Sequence, residues 1–297
     1  VSVRVFVGTH AVDAVPPDDR GLAYGDGLFE TMRAHRGGVS WWPAHWARLA
    51  AGAARLKLPL PDEALARAEA EALLGGRGGV LKLLVTRGSG GRGYAPPDAA
   101  VPTWLLSHHP APARPRDGLV LRWCDTRLAV QPLLAGLKHC NRLEQVLARA
   151  EWTASAPVVD GPGTATPDTR TLHPDAEVAS SPTVDEGLMR STEGDVVCAT
   201  AANLFILRHG RWLTPAVDRC GIAGVCRGWI MGATGATQGR LDVADVETAE
   251  AVFLCNAVRG ILPVARLGER TWVAHPLVAA LQVRLAADHP AFAPESS

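Results

Sequence analysis

Leu134-Ala135-Gly136-Leu137-Lys138-His139-Cys140-Asn141-Arg142-Leu143-Glu144-Gln145-Val146-Leu147 is the stretch on which the reading of this chain turns. Two small residues, Ala135 and Gly136, lead into a lysine, and the alanine-, leucine- and charge-rich run from Arg142 to Trp152 predicts a helix just behind it. Lysine is scarce here: of thirty basic residues only Lys57, Lys82 and Lys138 are lysines. Both basic types supply charge, but only lysine readily gives up its proton to become a nucleophilic amine. Lys57 falls near a predicted helix C-terminus, where any cation is favoured. Lys82 falls in a strand pattern, from which its stem can snorkel to the surface. Lys138 taken alone also fits an ordinary surface lysine, so its neighbours must decide.

Outward from that stretch the chain reads as mixed α/β. Toward the N-terminus, Val1–Val7 alternates as a strand, and Gly37-Gly38 marks a turn before Val39–Trp42. Pro43 suits the first turn of a helix whose apolar face is Trp46, Leu49, Ala50, Ala53 and Leu56. A second helix runs from Pro61-Asp62-Glu63 to a stop at Gly75-Gly76, followed by strand patterns at Gly78–Arg87 and Val101–His108. The proline-rich residues from His109 to Pro115 read as a stiff connection. The expected organisation is therefore an N-terminal α/β domain over 1–109, a linker over 110–117 and a C-terminal domain over 118–297. Within the latter, Leu119–Cys124, Gly187–Arg190, Asp195–Leu207, Trp212–Leu213 and Ala251–Cys255 read as strands, with helices from about Ala223 and over Leu277–Asp288. Thr153–Thr183, with five prolines and little to bury, is expected to be a disordered surface insertion.

Thirty basic residues balance thirty acidic ones, so no net field points to nucleic acid or an anionic membrane. The apolar runs are too short and too interrupted to span a bilayer. The opening strand pattern has neither the charged head nor the cleavage site of a signal peptide. The six cysteines form no C-x-x-C pair and lack the histidines of a zinc site, so no metal is expected. They read as thiols in a reducing compartment, and the expected location is the cytoplasm.

Gly88-Ser89-Gly90-Gly91-Arg92-Gly93 matches G-x-G-x-x-G after a strand, which raises a dinucleotide site. Such a turn must open a helix, and Pro96-Pro97 follows too soon for one. A flexible loop carrying Arg92 and Tyr94 toward a ligand is the better reading.

Four segments then carry a resemblance. Asp19-Arg20-Gly21-Leu22-Ala23-Tyr24-Gly25-Asp26-Gly27-Leu28-Phe29-Glu30-Thr31, His45-Trp46-Ala47-Arg48-Leu49 and Ala202-Asn203-Leu204-Phe205 resemble the fold-type IV pyridoxal-phosphate enzymes, the class IV aminotransferase family. Arg87–Tyr94 and Leu134–Leu147 are most similar to its lyase branch, the aminodeoxychorismate lyases. The resemblance implies a two-domain fold with mixed sheets, pyridoxal 5'-phosphate as cofactor, and a homodimer whose sites borrow loops across the interface. It implies that Lys138 holds the cofactor's aldehyde and then shuttles the proton. It implies that Arg48 clamps the phosphate, joined by backbone N–H groups at Ile222-Ala223 and by Asn256-Ala257, where a turn before a predicted helix suits an anion. Asn256 also fits a plain turn residue after a buried strand. Tyr94, with Arg92, would face a carboxylated substrate.

The chain departs from that pattern at one position. Five residues before Asn203, where the family places a glutamate against the cofactor's ring nitrogen, stands Cys198. Glu193 and Asp195 are each an odd number of residues away, hence on the opposite face of a regular strand. A neutral thiol stabilises a protonated ring far less than a carboxylate does. The expected activity is elimination of pyruvate from 4-amino-4-deoxychorismate to give 4-aminobenzoate, a folate precursor. The alternatives are a D-amino acid or branched-chain aminotransferase of the same fold, and a cofactor-binding relative without turnover.

Overall fold

A computed structural model describes residues 1–113, 117–152 and 184–293. The expected insertion at 153–183 lies outside the described residues, as do residues 114–116 of the expected linker. Two sheets divide the rest.

The first sheet is built from β1 (Ser2–Val7), β2 (His10–Val12), β3 (Gly27–His35), β4 (Gly38–Val39), β5 (Gly79–Thr86) and β6 (Thr103–His109). Its order is β2-β1-β6-β5-β3-β4, antiparallel throughout. Helix α1 (Arg20–Tyr24) precedes β3, while α2 (Trp42–Leu56) and α3 (Glu63–Leu74) pack on the sheet. Asp62 caps α3 by accepting the Leu65 N–H at 2.9 Å, and Gly75 ends it in the left-handed region. Both ends fall where acid and glycine in the sequence place them. The Gly38–Val39 strand is shorter than its pattern suggests, because Trp42 and Pro43 already begin α2.

Strand β3 alternates strictly. Leu28, Glu30, Met32 and Ala34 turn into the core beneath α2, while Phe29 and Thr31 face the other way. The same core holds Trp104, fully buried on β6, stacked on Phe6 at 4.0 Å, with its indole N–H donated to Gly8 O at 2.8 Å.

The second sheet contains β7 (Leu119–Trp123), β8 (Glu186–Arg190), β9 (Val196–Ala199), β10 (Asn203–Arg208), β11 (Arg211–Pro215), β12 (Thr237–Gly239), β13 (Ala251–Asn256), β14 (Gly260–Leu267) and β15 (Arg270–Thr271). Its path is β12-β11-β10-β13-β14-β7-β8-β9, with β15 on β14. The β10–β11 hairpin closes through His209 and Gly210, both at positive φ, as a two-residue turn requires. Asp195–Leu207 is not one strand: Thr200–Ala202 breaks it, and the Ala199 N–H bonds back to Ala202 O. Helices α4 (Leu143–Ala150), α5 (Val225–Thr234), α6 (Val243–Glu247) and α7 (Pro276–Asp288) accompany the sheet. Among the described residues no helix is long and apolar enough to cross a membrane.

The two sheets meet at a seam. Phe29 N–H donates to Lys138 O at 3.0 Å and Cys140 N–H to Gly27 O at 2.9 Å, so the lysine segment is tied to β3 by a single antiparallel bridge. Arg33 N–H bonds to Ala257 O at 3.2 Å, and Arg55 to Ala135 O at 2.7 Å.

Replacing Trp104 by alanine removes a fully buried indole and its hydrogen bond. The expected loss is about 3–5 kcal/mol, read as a lower denaturation midpoint with an unchanged urea slope.

Candidate active site

A cavity of about 860 Å³ opens along this seam, and most of the residues singled out in the sequence line it: Arg48, Lys138, Cys198, Ile222, Asn256 and Ala257. Lys138 stands at its centre. Its extended segment is locked to β3, which carries the amine over the Phe29 ring, with Nζ 4.3 Å from the centroid. Burial, reinforced by the Arg48 charge, lowers its pKa to about 7 even though Glu30 pulls the other way. A large fraction of the amine is therefore neutral at neutral pH. Of the other lysines, Lys57 is the C-terminal cap of α2, and Lys82 lies on β5 with Nζ 5.1 Å from the Phe29 ring centroid.

Arg48 is held from behind. Glu30, 1% exposed, accepts from Arg48 Nε at 2.8 Å and from its Nη2, and from His45 Nδ1 at 2.5 Å. Burial alone would raise the Glu30 carboxyl, but the bonds from His45 and Arg48 outweigh it and hold the group below the usual carboxylate range. His45 is pushed down by burial, so it serves as a neutral Nδ1–H donor, with Nε2 left unbonded. The remaining arm of Arg48 reaches across the seam to Ala223 O at 2.9 Å. Sequence reasoning passed over Glu30 and His45. The signal was present: the alternation of β3 turns Glu30 inward, and an acid buried there needs partners.

Beside Arg48, α5 begins at Gly224 without a side-chain cap, and Gly224 and Val225 line the cavity. Its first N–H groups and Arg48 together make an anion site. One expected donor is otherwise engaged: the Ala223 N–H already bonds to Gly136 O at 3.1 Å, because Gly136 and Ile222 pair as a parallel bridge. Asn256 borders the cavity, but both ends of its amide are committed. Its Oδ1 accepts from Val258 and Arg259 N–H at 3.0 and 2.8 Å, and its Nδ2 donates to Ala201 O at 3.1 Å. It ties two turns together.

Cys198 sits on β9 opposite Met189, 7% exposed. Burial pushes its thiol up to about 12, so it is uncharged at neutral pH. Neither nearby acid replaces a carboxylate there: Glu193 pairs with Arg219, and Asp195 lies 4.0 Å from Arg240. The cavity does hold Glu186, Arg142 and Arg259, none of which the sequence pattern singled out. Arg142 donates Nε to His139 O at 2.8 Å and keeps a buried Nη2 without an acceptor.

Arg92 and Tyr94 lie outside this cavity. Tyr94 is 87% exposed and meets Tyr24 edge-on at 5.4 Å. No helix follows Gly93, and the loop is pinned rather than loose: Arg20 donates to the carbonyls of Gly93, Tyr94 and Ala95 at 3.0–3.2 Å.

An amine that is neutral near pH 7 at one point and an arginine with an uncapped helix start at another fit an aldehyde that also carries a phosphate. Residues 27–157 and 177–267 match the family model of amino-transferase class IV. The chain belongs to that family and is a pyridoxal-phosphate-dependent enzyme of fold-type IV. On its lyase side, the chain is similar to aminodeoxychorismate lyase of Vibrio harveyi, with 33% identity over 84% of this chain and 86% of that one. It is also similar to the crystal structure of 4-amino-4-deoxychorismate lyase from Pseudomonas aeruginosa: TM-score 0.82, 40% identity, covering 96% and 99% of the two chains. Branched-chain amino acid aminotransferase of Escherichia coli shares the fold, with TM-score 0.76 at 16% identity over 99% and 96% of the chains.

Two outcomes test this geometry. Glu30→Gln is expected to weaken pyridoxal-phosphate binding on the order of tenfold by loosening Arg48, measured by equilibrium titration of the apoprotein. Uptake of the cofactor onto Lys138, fixed with borohydride and read by mass, is expected to rise with pH through a midpoint near 7, because only the neutral amine reacts.

Proposed function

We propose that this protein is a lyase that converts 4-amino-4-deoxychorismate to 4-aminobenzoate and pyruvate. The observation that carries the reading is Lys138, a buried amine with its pKa lowered to about 7, beside an anion site built on Arg48. The names of the relatives supply the substrate. When bound, pyridoxal phosphate supplies an aldehyde for the substrate's amine and a ring that withdraws electrons. Arg48 and the start of α5 would hold its phosphate. Lys138 takes the proton from the substrate carbon that bears nitrogen, the bond to the enolpyruvyl oxygen breaks, and the ring becomes aromatic. Lys138 then returns a proton to the leaving enolate, which departs as pyruvate. Atoms balance: one proton moves, and no oxidant is needed.

The neutral Cys198 favours elimination over amino transfer. Aromatisation supplies driving force to an elimination, whereas transfer depends on the protonated ring that a carboxylate would sustain. The same thiol also favours a second reading, cofactor binding without turnover. In our reading the enzyme works in the cytoplasm, in folate biosynthesis, as two domains over 1–109 and 118–297 joined by 110–117. It acts as a homodimer, since Tyr94 and Arg92 can meet substrate only in a second copy's cavity if they lie outside their own.

Purified protein loaded with pyridoxal phosphate is expected to release 4-aminobenzoate and pyruvate in equal amounts, and Lys138→Arg to abolish release. A loaded protein that forms neither product would establish the second reading. Cys198→Glu is expected to hold or raise the elimination rate and to raise conversion to pyridoxamine phosphate with D-alanine or L-leucine. Sedimentation is expected to show a dimer.

A further inference from the structure

The cavity carries more positive charge than a phosphate requires. Arg48, Arg142, Arg149 and Arg259 line it, against the carboxylates of Asp185 and Glu186. Most of these groups are committed. Arg48 serves Glu30 and Ala223, and Arg149 donates to Asp185 O at 2.8 Å. Asp185 accepts the Val120 N–H at 2.8 Å. Glu186, 2% exposed, takes the Thr200 hydroxyl and the Gly187 N–H on Oε1.

Arg259 is different. Among the described residues its ion-pair partner is Glu186, with Nη2 3.9 Å from Oε2, too far for a hydrogen bond. Its backbone is fixed nevertheless. Asn256 Oδ1 holds the Arg259 N–H, Asn256 Nδ2 staples the turn to Ala201, and Gly260 follows at φ +74°. Arg259 also borders a second cavity with Ile261, Leu285 and Phe292, and among the described residues no carboxylate lines that one. A guanidinium on a rigid turn, with its planar donors unfilled among the described residues, suits a carboxylate, which it can bind with two parallel bonds. At 3.9 Å the pair with Glu186 makes no hydrogen bond, so it leaves the paired donors of the guanidinium open. Arg142 Nη2, buried without an acceptor, is a second unfilled donor in the same cavity.

We propose that Arg259 is a specificity-determining residue, which binds one carboxylate of a dicarboxylic substrate in place of its loose pair with Glu186. The inference rests on the lyase reading for the identity of the substrate, but the site requires only a ligand that bears two carboxylates.

The test is calorimetric titration of the cofactor-loaded protein with benzene-1,3-dicarboxylate and with benzoate. Arg259→Ala is expected to weaken the dicarboxylate about 10- to 100-fold and benzoate much less, with cofactor affinity unchanged within about twofold. Arg259→Lys is expected to restore only part of the loss, because an ammonium cannot make the paired bonds. Glu186→Gln, which keeps the Thr200 bond and frees Arg259, is expected to tighten the dicarboxylate. With 4-amino-4-deoxychorismate, Arg259→Ala is expected to raise KM by a similar factor and to leave kcat within about threefold. Dicarboxylate affinity and KM that ignore Arg259 overturn the proposal, and so does a Glu186→Gln protein that binds the dicarboxylate more weakly. The two readings fail separately. Turnover with an Arg259-independent KM sinks this inference alone, while Arg259-dependent dicarboxylate binding without turnover sinks the lyase reading alone.

Discussion

A single buried carboxylate organises the site. Glu30 stands among Leu28, Met32 and Ala34 on the core face of β3, where an unpaired charge would cost several kcal/mol. His45 and Arg48, three residues apart on α2, satisfy it, and this pairing leaves Nη1 of Arg48 to cross the seam to Ala223, with two further N–H donors still open among the described residues. Strand, helix and the turn before α5 are thereby held at one spacing. The Arg48 end of the cavity follows from that spacing, and Glu30, itself held by His45, sets the direction of a guanidinium that would otherwise swing.

The other end depends on the opposite condition, a charge left without a counter-ion. Lys138 is buried over Phe29 without a carboxylate in hydrogen-bond contact, and Arg48 adds repulsion, so the amine gives up its proton close to neutral pH. Cys198 obeys the same rule with the reverse result. Burial favours the neutral form of an acid as of a base, so the thiol keeps its proton. One low-dielectric cavity thus yields a neutral base at Lys138 and a neutral wall at Cys198. Together these suit proton removal more than they suit a strongly stabilised ring cation.

Much of this was legible along the chain. The helix limits at Asp62 and Gly75 and the hairpin at His209-Gly210 are local facts, set by a capping side chain and by glycine's tolerance of positive φ. The scarcity of lysine left three candidates before any fold was known, and the residues around Lys138 favoured it among them. Other features were not legible. Asp195–Leu207 reads as one apolar strand, and its break at Thr200–Ala202 comes from Asn256 and Glu186, which lie far along the chain or on another strand. The Ala223 amide reads as free at a helix start, but a bridge to Gly136 consumes it. Arg142, Glu186 and Arg259 have no pattern of their own, since each becomes part of the cavity only through strands adjacent in the sheet or elements packed across the seam.

By itself the sequence determined the mixed α/β class and the limits of most elements, and it narrowed the candidate amines to three lysines, because these depend on periodicity, capping and residue chemistry within short windows. Tertiary structure alone decided which charges are paired and which are left open. It placed Arg48 against Glu30, left Arg259 at 3.9 Å from Glu186, and kept Tyr94 outside the cavity of its own chain. Electrostatic work depends on distance and burial in three dimensions, and neither is set until the two sheets close on their common seam.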